Sequence, residues 1–76
     1  MLYQIVMLKD YDGEKSYNSL GFFENVKNAR LIIDSIFESV SKYFPCERYI
    51  NGDLKVEKSP IYIDTYFIIR LDIPNE

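Results

Sequence analysis

Histidine and tryptophan are missing from this chain of 76 residues, and cysteine occurs once, as Cys46. Without imidazole, the commonest general base, the commonest metal ligand and the usual activator of Ser or Cys nucleophiles are all gone. A lone cysteine cannot staple a fold. With Arg48 as its one cationic neighbour in sequence, Cys46 reads as a buried or spacer residue after a helix and not as a nucleophile. The glycines stand singly at positions 13, 21 and 52, so neither glycine-rich phosphate motif occurs. These absences argue against an enzyme and against a cofactor.

Other signals are equally thin. No asparagine opens an N-x-S/T sequon, and nothing hints at secretion. The apolar start MLYQIVML lacks a basic leader and stops at Lys9-Asp10, too short for a signal core with its flanks or for a membrane span. A soluble, cytoplasmic protein without membrane contact is the expectation. Charge of one sign does not dominate either: twelve acidic and nine basic residues give a net charge of -3, spread without runs. A phosphate-binding surface is not expected, and Lys and Arg interleave with the acidic clusters too closely for a mimic of nucleic acid. Asp10-Tyr11-Asp12-Gly13-Glu14 has calcium-binding residue types, but an EF-hand loop needs Gly at its sixth position and a bidentate Glu at its twelfth. A solvated turn is expected there, and no metal site.

What the chain does have is apolar and aromatic substance: 47% hydrophobic residues, with seven Tyr and five Phe. One domain, residues 1–76, is expected. A chain this short buries only about 60% of its unfolded surface and depends on a very apolar core or on a partner. Residues 2–9 alternate as a strand, with Leu2, Val6 and Leu8 on one face and Tyr3, Ile5 and Met7 on the other. Asp12-Gly13 suits a hairpin turn, after which a second strand is expected over 16–23. Asn25 is placed to cap a helix whose apolar side carries Val26, Ala29, Ile33, Ile36, Phe37, Val40 and Phe44, ending at Pro45. Arg30 with Asp34, and Glu38 with Lys42, are spaced for weak pairing on its wet side, while Leu31 and Ile32 widen the apolar stripe. Asn51-Gly52 then marks a hairpin between two short strands, and Ser59-Pro60 breaks the ladder before a long final strand over 61–73. The order β-β-α-β-β-β predicts an α+β fold, an antiparallel sheet of four to five strands with one helix on one face.

The run Leu20-Gly21-Phe22-Phe23-Glu24-Asn25-Val26, followed by Ala29 and preceded by a Tyr-bearing strand, resembles the strand-Gly-x-Phe-cap-helix layout of small bacteriophage and mobile-element accessory proteins. The likeness covers residues 1–37 and carries over no functional residue. It implies an accessory protein that acts by binding a host or defence protein.

The final strand, IYIDTYFIIRLDI, has two apolar faces, and so does the first. Strands lie about 4.8 Å apart, so four span about 15 Å, whereas one helix is about 10 Å across and covers one face. Either the Leu2/Val6/Leu8 set or the Tyr3/Ile5/Met7 set is then left open, with one face of the final strand. Ile61, Ile63, Phe67, Ile69 and Leu71 form the more regular face and are expected to claim the helix. Tyr62, Tyr66, Ile68 and Tyr3 are expected to remain outside as the surface for a protein partner or for a second copy. The working expectation is a non-enzymatic protein that binds, and sterically inhibits, another protein through this Tyr-rich face. A homodimer whose sheet face is only its own interface is the alternative.

Overall fold

The structure, a computed structural model, describes residues 1–72. Five strands and one helix follow the expected order: β1 (Leu2–Tyr11), β2 (Glu14–Phe23), α1 (Val26–Val40), β3 (Cys46–Arg48), β4 (Leu54–Ser59) and β5 (Tyr62–Leu71). The strands form one antiparallel sheet in the order β2-β1-β5-β4-β3. The fold is therefore α+β. The expected extension of the last strand to Ile73 falls outside the described residues.

Local chemistry explains each boundary. Asp12 and Gly13 both adopt positive φ, 52° and 84°, the backbone that a two-residue hairpin turn requires, and Gly13 N–H donates to Asp10 Oδ1 at 3.1 Å. The acidic residues of the supposed calcium loop thus build a turn. Asn25 Oδ1 accepts from the Lys27 N–H at 2.7 Å and caps α1. The helix stops at Val40, earlier than Pro45, because a tight turn takes over, with the Tyr43 and Phe44 N–H groups both donating to the Val40 carbonyl. Between β3 and β4, the Gly52 N–H closes a turn on the Tyr49 carbonyl at 2.9 Å.

Two register slips shape the sheet. Gln4 pairs with Phe22 and Val6 with Ser19, so Leu20 and Gly21 together face Ile5, and Gly21 at φ 121° takes the strain of the bulge. Between β4 and β5 the register slips from Glu57/Ile63 to Ser59/Tyr62, leaving Lys58 as the extra residue.

The core lies between α1 and one sheet face. Ala29 and Ile33 of the helix pack with Ile5, Leu54, Val56 and Tyr66, and Met7, Phe23, Ile36, Phe37, Val40 and Ile68 close around them. Ile5, Ile33, Leu54 and Val56 are fully buried, each contributing about 1.5–3 kcal/mol relative to an exposed side chain. The helical stripe through Ala29, Ile33, Ile36, Phe37 and Val40 is as expected, whereas Leu31 and Ile32 stand exposed.

The sheet face under the helix is the opposite of the one expected. Register fixes this: Ile5 lies beside Ile68, and Met7 beside Tyr66, which in turn lies beside Leu54. Strand β4 decides the matter, because Leu54 and Val56 alternate with Lys55 and Glu57 and only one of its faces is apolar. Once β4 pairs with β5, that face is Tyr66's face. The expectation that the Ile63/Phe67/Ile69/Leu71 side claims the helix is overturned.

Candidate binding surface

Each residue named for the expected surface lies on the helix side. Tyr66 is 7% exposed and belongs to the core, Ile68 packs against it, and Tyr3 is half-buried beside Phe23 and Arg70. Tyr62 is half-buried too, its ring edge-on to Tyr11 at 5.4 Å, with Lys58 Nζ 5.1 Å above it. Burial raises the Tyr66 hydroxyl above the ordinary phenol range, with the Asp64 charge adding to the effect. Tyr66 and Ile68 are therefore packing residues and are corrected as candidates for a partner surface. Tyr11 and Tyr62, with Lys9, Glu14, Lys15 and Ser16, wall an open hollow of about 320 Å³.

Asp64 made this face look wet. Its side chain is fully buried, and Oδ2 takes the Lys58 ammonium at 2.9 Å. Val56 lies opposite Asp64, so Lys58, two residues further along β4 and at the register slip, stands on the same face as the carboxylate. Oδ1 meets no donor among the described residues, and the Lys58 contact at Oδ2 has the distance of an ion pair without hydrogen-bond geometry. The Asp64 carboxylate beside the ammonium is the main cause of the raised Lys58 pKa.

Cys46 also belongs to the helix side. Its Sγ lies 3.4 Å from the Phe44 carbonyl and burial pushes the thiol pKa up. Arg48, the neighbour that could have activated it, is taken by Asp34 at 2.6 Å and by the Phe37 ring at 5.9 Å. Asp34 thus pairs across to β3 and not with Arg30 along the helix.

The open face is the Leu2, Val6, Leu8 side of β1 with the Ile63, Phe67, Ile69, Leu71 side of β5. Cross-strand register gives its rows: Val6 beside Phe67 and Ser19, Leu8 beside Thr65 and Tyr17, Leu2 beside Leu71. Gln4 Nε2 donates to Ser19 Oγ at 2.8 Å, tying the central strand to β2 without introducing charge. Val6 is only 6% exposed with no helix above it, so its neighbours' side chains form a closed carpet. Around that carpet, Tyr17 and Phe22 on β2 are 66% and 58% exposed. Charges stand at the margin: Asp10 and Lys15 on the β1–β2 side, Glu57, Lys55 and Glu47 on the β4–β3 side.

The face thus has an uncharged centre and a margin of mixed sign. Three elements lay in the sequence: the Leu2/Val6/Leu8 set, the second face of β5, and the alternation of β4 that assigns both.

Among the described residues, no helix is long and apolar enough to cross a membrane, and no three His, Cys, Asp or Glu side chains converge as metal ligands. Comparison of the chain with protein-family models, with curated proteins and with solved structures gives no match in any of the three.

Proposed function

We propose that this chain is a non-enzymatic interaction protein of the cytoplasm whose working surface is the open face of its sheet. The observation that carries the reading is the uncharged carpet formed by β1 and β5, which no other part of the described chain covers. A patch of this size on a small domain marks an interaction surface more often than idle exposure. The partner it suits is a polypeptide, since the face is broad and has no enclosed pocket with convergent polar groups. Binding acts by steric occlusion: apolar side chains at the centre exclude water, while the charged margin sets orientation. The resemblance to accessory proteins supports a host or defence protein as the class of target and inhibition as the effect. The second reading is a homodimer, and the placement of charges around the face favours it.

Ile69 is the position for the test, because it sits on the face yet is 38% exposed. Ile69→Lys should leave the thermal melt almost unchanged, within about 0.5 kcal/mol as for surface substitutions generally, while weakening association at least about tenfold. Light scattering and pull-down on both proteins measure this. A wild-type protein that stays monomeric and takes up no polypeptide in an Ile69-dependent way would overturn the proposal.

A further inference from the structure

We infer that the occupant of the open face is a second copy of this chain, laid face to face with its dyad parallel to the strands and midway between β1 and β5. The inference rests on the reading of that face as the working surface and names what covers it.

The rows of the sheet set the symmetry. Lys15 pairs with Asp10, Asp10 with Ile63 and Ile63 with Glu57, so Lys15 on β2 and Glu57 on β4 lie at the same level on opposite flanks. A dyad along the strands exchanges the flanks and keeps the level. Lys15 of each copy then stands over Glu57 of the other, twice by symmetry. One level further along, Tyr17 shares a row with Leu8, Thr65 and Lys55, so the same operation sets the Tyr17 ring over the other copy's Lys55, a cation–π arrangement. At the centre β1 lies over β5, which puts the small Val6 against the large Phe67. Unlike sizes facing one another are what two interdigitating sheets need.

Packed sheets cross at about 30°, which displaces flank residues by about 4 Å, within the reach of Lys and Glu side chains. A dyad across the strands does worse. It lays β2 on β2 and, because β4 begins at Leu54, leaves Lys55 and Glu57 facing no strand. The ion pairs among the described residues are Arg48–Asp34, Lys58–Asp64 and Arg70–Asp72, so neither Lys15, beside Asp10 in the ladder, nor Glu57 makes an ion pair within the described chain. The area is of the right order: three strands of ten residues and one of six, each about 4.8 Å wide at about 3.3 Å per residue, give a projected face of about 570 Å². The corrugated surface over it approaches the roughly 800 Å² per partner of a standard stable interface.

The test is a charge exchange read by sedimentation equilibrium across the micromolar range. The wild type should show twice the 9.0 kDa of one chain. Lys15→Glu and Glu57→Lys should each weaken dimerisation about tenfold, and less so in high salt, as rim charges do. The double variant should recover wild-type affinity. Within one chain the two positions are separated by two strands, so recovery requires the second copy. A dimer that Ile69→Lys breaks but the double variant does not restore overturns this dyad and leaves the face as the working surface. A wild-type monomer overturns the second copy outright, and the Ile69-dependent uptake of a different polypeptide then decides whether the face reading stands. Unaltered dimerisation in Ile69→Lys overturns both.

Discussion

Asp64 is the residue on which the reading of this molecule turns. In the sequence it sits among Tyr62, Tyr66, Arg70 and Asp72 and makes their face look solvated. In the structure it is fully buried and neutralised by Lys58, while Arg70 and Asp72 pair with each other in solvent. That pairing was not legible, because it depends on which strand lies beside β5 and in what register: Val56 stands opposite Asp64, which puts Lys58, two residues on, on the same face. The cost of breaking it follows from burial. Lys58→Met leaves a charged carboxylate unpaired and should destabilise the protein by about 1–3 kcal/mol, below the range for fully buried pairs because Lys58 is partly exposed. The double variant Lys58→Met with Asp64→Leu should recover most of that, and denaturant titration of the single and double variants checks both. The pair also sets a pH dependence. Lys58 has a raised folded pKa, so its stabilising contribution is complete below the ordinary lysine value of about 10.4 and is lost as pH rises through the folded value. Tyr66, raised by burial, acts in the same direction above about pH 10. Melting temperature should therefore fall in alkali, and fall less steeply in Lys58→Met.

At the scale of elements the sequence was informative wherever the signal was local. The positive-φ turn at Asp12-Gly13, the Asn25 cap and the break at Ser59-Pro60 each follow from the residues that make them. The helical stripe was equally clear, since Ala29, Ile33, Ile36 and Val40 recur at spacings of three and four. The cap gives the direct check: Asn25→Ala removes the acceptor of the Lys27 N–H and should cost about 1 kcal/mol, lowering the melt without altering association. What failed was the choice between the two faces of β5, a non-local matter. Both faces are apolar enough to bury, and regularity of alternation favoured Ile63, Phe67, Ile69 and Leu71. The deciding element was the short strand Leu54–Ser59, whose LKVE has one apolar face and transmits that choice through pairing. Strands with two usable faces take their orientation from neighbours with only one.

For the whole molecule, one sheet and one helix make two layers, and the principal extents of 46 × 26 × 18 Å are those of a slab. Such a slab buries one side of its sheet. The sequence correctly implied that a second apolar face would be left over and misidentified which one, so the proposal of a working sheet face now concerns different residues, those of the Val6, Leu8, Phe67 and Ile69 side. The most direct measurement is hydroxyl-radical footprinting of side chains at low and high protein concentration. Phe67, Ile69, Leu8 and Tyr17 should become protected as concentration rises, while Leu31, Tyr43 and Ile50, exposed on other surfaces, should stay equally reactive. Phe67 and Ile69 reacting alike at every concentration, or protection appearing on the Leu31 side of the helix instead, would contradict that expectation.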